Sequence, residues 1–175
     1  MAGGWAAAAL VSVPRRDYFS AVQRVRDEVK SAYVQAIDSD RVLNANHLFL
    51  ALQNVVSAHR HGYNKMNRVD SELLLVIAGV NNFEVAVKRL APRAGSKAVL
   101  LSFSDRKEDV LRSMELLERY GGATVEQFEF TNDSPRLLRL SSFYEVPRRG
   151  TEQLSEDELT RALVERSAVF YAKYR

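Results

Sequence analysis

The sequence predicts an α/β protein: a single domain over residues 1–175, with a small mixed sheet, a buried helical hairpin and flanking helices. Three observations carry that expectation. Lys97 to Phe103 contains the continuous apolar run Ala98, Val99, Leu100 and Leu101, the pattern of a central strand covered on both faces. Strand-like and helix-like stretches alternate along much of the chain, as they do in α/β domains. Between His47 and Leu90, however, three helical patterns follow one another with no strand between them, and the middle one is apolar almost all round.

Taken in order, Ala6 to Val13 reads as a first strand closed by Pro14, which cannot donate to a ladder. Asp17 caps an amphipathic helix bearing Phe19, Val22, Val25 and Val29, and Tyr33 to Ile37 forms a second strand before a turn at Asp38 to Asp40. Leu48, Ala51, Leu52, Val55 and Val56 share one helical face that ends at Gly62. A polar connector, Tyr63 to Arg68, leads to Asp70, read as the cap of a helix through Glu72 to Ala78. After Gly79, Asn81 and Glu84 form a capping box for a third helix, with Phe83, Ala86, Val87 and Leu90 on one side and Lys88 and Arg89 on the other. Asp105 and Glu108 form another box, opening a helix with Val110, Leu111, Met114, Leu117 and Tyr120 inward and Gly121-Gly122 as its stop. Thr124 to Phe130 is rich in strand formers. Ser134-Pro135 starts a short helix, Pro147 to Gly150 is a loop, and the box Ser155 to Glu158 opens a final helix carrying Leu159, Leu163, Val164, Ala168 and Val169.

Composition narrows the function classes. A chain of 175 residues with 46% hydrophobic and 27% charged residues has enough apolar material for one core. Zero cysteine excludes disulfides, thiolate metal sites and a cysteine nucleophile, and favours a reducing compartment; a cytoplasmic location is expected. Met1 to Pro14 is apolar but lacks a preceding basic region, so neither a signal peptide nor a membrane span is expected. Between His59 and Arg93 stand Arg60, Lys65, Arg68, Lys88, Arg89 and Arg93 against Asp70, Glu72 and Glu84. The chain's whole formal excess of +3 therefore lies in that stretch.

No dinucleotide fingerprint, phosphate-binding Gly-Lys-Ser loop or Gly-x-Ser-x-Gly elbow is present. His47, His59 and His61 have spacings ill suited to one metal, since positions 59 and 61 point apart on a helix. Asp105 and Glu108 are explained as caps. No catalytic residue, cofactor, metal site or small-molecule substrate is expected. Arg60, His61, Lys65, Lys88 and Arg89 with Tyr63 instead combine cations and an aromatic ring, the pairing that holds single-stranded nucleic acid without reading its sequence. Packing of Tyr63 over the turn, with the cations in water, is the structural alternative. Leu163, Phe170 and Tyr171 make a bulky apolar end to the final helix, a candidate partner surface whose alternative fate is the core.

The order His47-Leu48 in an alanine-rich helix, Gly62-Tyr63-Asn64, Glu72-Leu73-Leu74-Leu75, Ala78-Gly79 and a further amphipathic helix resembles the PRPK-binding protein (TPRKB) family, the kinase-binding subunit of the KEOPS complex. The likeness runs from about Ala45 to Leu90 and returns in the C-terminal helix; Arg68, Val69 and Asp70 depart from the family's usual small residue and leucine before the glutamate. The resemblance implies a non-catalytic subunit that binds a PRPK-type atypical kinase and helps bring tRNA, by its acceptor end, to the machinery that forms threonylcarbamoyl-adenosine. Two other classes compete: a homodimeric helical adaptor without an RNA role, and a small stand-alone enzyme using a carboxylate and a histidine.

Overall fold

A computed structural model describes residues 4–12, 18–93, 95–121, 125–126, 128–147 and 154–173. The chain forms two compact units, Met1–Ser39 with Ala91–Glu129 and Asp40–Leu90 with Phe130–Arg175. The α/β class and the buried hairpin expected from the sequence are both present.

The first unit carries β1 (Trp5–Ser12), α1 (Tyr18–Glu28), β2 (Tyr33–Asp38), β3 (Lys97–Ser104), α5 (Lys107–Gly121) and β4 (Val125–Glu126). The sheet order is β2-β3-β1-β4, so the apolar run of β3 does lie inside the sheet. It is buried from Ala98 to Ser104. Every described pairing is antiparallel, where a mixed sheet was expected. The reason is where β3 inserts. Strands β1 and β2, joined through α1, run the same way, but β3 enters between them in the opposite sense, pairing Ala8 with Leu101 on one side and Ala36 with Leu100 on the other. Val22 and Val25 of α1, Val29 just after it, and Leu116 and Leu117 of α5 pack with Val11, Val34, Ala36, Ala98 and Leu100. Leu111, expected inward, is 52% exposed, and Ser113 and Leu116 take its place on the buried face of α5.

Thr124 to Phe130 shortens to the two-residue β4, whose described register pairs Glu126 with Leu10 and Val125 with Val11. Residues 128–130 are not strand, in keeping with their lack of alternation, and Thr124 lies outside the described residues. Val13, Pro14, Asp17, Gly122 and the loop at 148–150 also lie outside them. Neither Asp105 nor Glu108 makes a capping bond; Ser104 instead accepts from Arg106 N at 3.2 Å.

The second unit is helical: α2 (Ala45–His61), α3 (Val69–Ala78), α4 (Phe83–Leu90), α6 (Ser134–Phe143) and α7 (Glu156–Lys173). Asn44 caps α2 by accepting from His47 N at 3.0 Å, and its amide donates to Glu156 and Thr160 of α7. Helix α3 ends in the αL turn of Gly79 (φ 66°), a backbone that favours glycine, with the Arg166 guanidinium packed where a Cβ would stand. Two caps sit elsewhere than the sequence suggested: Asn82, not Asn81, accepts from Val85 N, and Arg68 stands at the start of α3 in place of Asp70. Helix α6 starts at Ser134-Pro135 as expected, with Asp133 as its cap. The box at Ser155 and Glu158 forms as expected, with reciprocal bonds of 2.9 and 3.3 Å. No helix among the described residues is long and apolar enough to cross a membrane.

His47 is a core residue of this unit, 3% exposed, with Nδ1 accepting from Leu43 N and its ring edge-on to Tyr144. Burial lowers its pKa from 6.5 to about 4. The unfolded chain therefore binds a proton more readily than the folded one. The stability held by the neutral ring is full above about pH 6.5 and is lost as pH falls toward 4. At 1.36 kcal/mol per pH unit that gap is worth about 3 kcal/mol. Replacing His47 with Gln is expected to flatten the acid limb of stability in urea titrations between about pH 7 and about pH 4.5. An unaltered limb would assign the acid sensitivity to other groups.

Candidate functional site

Helix α3 is the most apolar in the chain, yet its first turn holds two carboxylates that solvent does not reach, Asp70 and Glu72, each 0% exposed. Buried charges need partners, and both have them. Asp70 takes a two-pronged bond from Arg68 (Nε to Oδ1 3.0 Å, Nη2 to Oδ2 2.9 Å) and a third from Ser71 N at 2.9 Å. Glu72 accepts from the successive backbone groups Lys65 N at 3.0 Å and Met66 N at 3.3 Å. His59 Nε2, from the last turn of α2, lies 2.8 Å from Glu72 Oε2 without a well-formed hydrogen bond. The Tyr171 hydroxyl of α7 is enclosed beside the same carboxylate without a well-formed hydrogen bond. Burial first, then Glu72, pushes that phenol well above the ordinary tyrosine range.

Above this buried group runs the connector between α2 and α3, residues 62–68, which has no regular secondary structure. It begins at Gly62 in the αL conformation (φ 73°). Tyr63 follows, 40% exposed, with its ring edge-on to Tyr171 (centroids 5.1 Å apart) and near-parallel to His61 (6.1 Å). Ser57 ties the cluster together: its carbonyl lies 2.8 Å from His61 Nδ1 and its hydroxyl 3.3 Å from the Tyr63 hydroxyl. Tyr63 is thus both packed over the turn, as its structural reading required, and open on part of its surface.

Of the six residues singled out for nucleic acid, Arg60, His61, Tyr63 and Lys65 fall together at the end of α2 and on the connector, all exposed. Lys88 is exposed on α4. Arg89 is otherwise engaged: its Nη2 donates to Phe143 O at 2.9 Å, its guanidinium stacks on the Phe143 ring at 4.9 Å, and Glu145 lies 4.0 Å away. The partner residues expected at the end of α7 are also inside. Leu163 and Phe170 are 2% exposed and Tyr171 7%, whereas Val169 is 55% exposed. The buried face of α7 runs Leu159, Leu163, Ser167, Phe170 and Tyr171, and Ala168 and Val169 fall on the open side. The apolar stripe read from the sequence was rotated because Ser167, held by Asn54 and Val164 O, occupies the core position.

The three histidines do not converge. His47 is core, His59 meets Glu72, and His61 lies on the surface against Ser57 and Tyr63. No group of three or more histidine or carboxylate side chains among the described residues is placed to hold a metal. The burial and pairing of Glu72, His59 and the Arg68–Asp70 pair were missed. The signal was present: two acidic residues inside the most apolar helix of the chain must be paired somewhere.

The connector thus presents an exposed aromatic ring with cations, and the open side of α7 carries Ala168, Val169 and Ala172 among Arg161, Glu165 and Lys173. The chain belongs to the kinase binding protein CGI-121 family, whose model matches residues 20–169. The comparison with curated proteins gave no match.

The two sides of α7 differ in a measurable way. Leu163→Ala is expected to cost about 2 to 5 kcal/mol, as truncation of a buried leucine does. Val169→Asp should leave the melting temperature within a few degrees of the parent. Equal losses in thermal unfolding would mean that Val169 is packed as tightly as Leu163.

Proposed function

We propose that the chain is a non-catalytic subunit of a KEOPS-type assembly, acting in the cytoplasm, that binds a PRPK-type atypical kinase and helps recruit tRNA for threonylcarbamoyl-adenosine formation. Membership of a kinase-binding family is the observation that carries the first half. The open side of α7 supports a docking surface there, since Ala168, Val169 and Ala172 are exposed together on a helix whose other side is core. In this reading Leu163, Phe170 and Tyr171 contribute by holding the helix in place from beneath. The cognate kinase should then bind Val169→Asp at least about tenfold more weakly, as expected when a charge enters an apolar contact. Calorimetric titration checks this, and parental affinity would move the interface elsewhere.

The RNA half is supported by the connector. Tyr63 offers a free part of its ring to a base, and Arg60 and Lys65 flank it with cations for phosphates, with Lys88 extending the basic surface. Arg89 donates to Phe143 O instead and is not assigned a phosphate. Stacking contributes roughly 1 to 3 kcal/mol per base with little sequence preference. Replacing Arg60, Lys65 and Lys88 with Ala should weaken tRNA binding and reduce the salt slope by about 2, at ~0.7 per phosphate on a single strand. A tRNA trimmed of its single-stranded acceptor end should bind worse. The parental slope in the triple variant would reject the surface, and equal binding of trimmed tRNA would reject the acceptor-end assignment.

A further inference from the structure

We infer that Glu72 is a positioning residue for the RNA contact: its buried carboxylate sets the connector in the ligand-binding shape before any ligand arrives. This rests on the reading that the connector holds the single-stranded end of tRNA. Glu72 is 0% exposed, so it cannot touch RNA itself. Whatever it does must pass through what it holds.

What it holds is the connector backbone. Lys65 N and Met66 N, adjacent in sequence, both donate to the one carboxylate, at 3.0 and 3.3 Å. Two successive N–H groups closed on an anion form a cradle that fixes the local chain path. Lys65 is turned by this arrangement: its backbone N–H points inward to Glu72, while the residue remains exposed. Two residues earlier, Tyr63 is set against Tyr171, whose hydroxyl is enclosed beside the same carboxylate. The cationic and the aromatic member of the proposed contact are thus tied, from opposite sides, to one buried group. A connector fixed in this way does not have to be ordered by the ligand, and that raises affinity without adding a contact.

The carboxylate is specifically suited to the task. It offers two acceptor oxygens and no donor, so Lys65 N and Met66 N can each take one oxygen. An amide of the same shape keeps one acceptor and turns an NH2 toward these donors. Glu72→Gln therefore loosens the connector with little change in volume.

The test is tRNA binding by the full chain carrying Glu72→Gln, alone and combined with Tyr63→Ala, alongside melting temperature and affinity for the kinase. About tenfold weaker tRNA binding is expected for Glu72→Gln, with kinase affinity retained and with little further loss on the Tyr63→Ala background, because both changes act through one connector. Parental tRNA affinity in Glu72→Gln, or losses that simply add, would overturn the inference and leave the RNA reading standing. Absence of tRNA binding by the parent would overturn the RNA reading and the inference with it. If Glu72→Gln does not fold, hydrogen exchange on the parent decides. Lys65 and Met66 amides protected without RNA support a preset connector, and protection that appears only with RNA overturns it.

Discussion

A carboxylate at zero exposure is the constraint on which the helical unit depends. Removing Glu72 from water costs several kcal/mol unless the charge is met inside. Two features of the fold meet it, the first turn of α3, where the helix field favours an anion, and the two connector N–H groups, while His59 from the last turn of α2 lies against it at 2.8 Å. Each of these fixes geometry as well as charge. The N–H groups fix the connector, His59 fixes the end of α2 against the start of α3, and the Tyr171 ring closes the space from α7. Asp70 solves the same problem two residues earlier through Arg68, so the middle of the connector and its last residue are held by acids of one helical turn.

Helix ends, more than helix faces, explain the arginines of this unit. The carboxyl end of α6 leaves carbonyls that need donors, and they receive them from two helices: Arg89 of α4 on Phe143 O and Arg166 of α7 on Tyr144 O. Arg136, near the start of the same helix, donates to Val42 O at 2.7 Å. Cations that raise the formal charge are therefore partly used as internal donors. The charge count over residues 59–93 had treated Arg89 as one more cation for a phosphate. Charge alone cannot separate a guanidinium at a carbonyl from one in water.

The same distinction explains how much was legible in the sequence. Strand β3, helices α2 and α3 and the Ser155–Glu158 cap were readable because each is set by a local pattern: an unbroken apolar run, a three-and-four spacing, or a reciprocal pair three residues apart. What failed depended on partners far along the chain. The antiparallel insertion of β3 between β1 and β2 follows from the path of the chain between Asp38 and Lys97, which periodicity does not encode. On α7, Ser167 faces inward because Asn54, 113 positions away, supplies its hydrogen bond. Without that partner a serine scores as an outward residue, and the predicted stripe rotates toward Ala168 and Val169. The cap of α4 slipped by one residue for a smaller reason, since the neighbouring asparagines offer equivalent oxygens and only the backbone angle selects between them.

The candidate site was half legible for a related reason. Tyr63, His61, Arg60 and Lys65 are contiguous, so their gathering needs only a turn, and Gly62 supplies it. Lys88 and Arg89 are adjacent in sequence but part company in the fold: Lys88 is exposed, and Arg89 is drawn into the α6 terminus by Phe143. Binding chemistry of this kind uses ordinary cations and rings, which also serve as caps and packing. A catalytic or metal site announces itself by residue types with few other uses. Here the deciding property is what each side chain already holds: Tyr63 keeps part of its ring open while Tyr171, its neighbour at 5.1 Å, is closed in beside a buried acid. Two tyrosines in contact thus divide the work, one anchoring the connector from inside and the other presenting its surface.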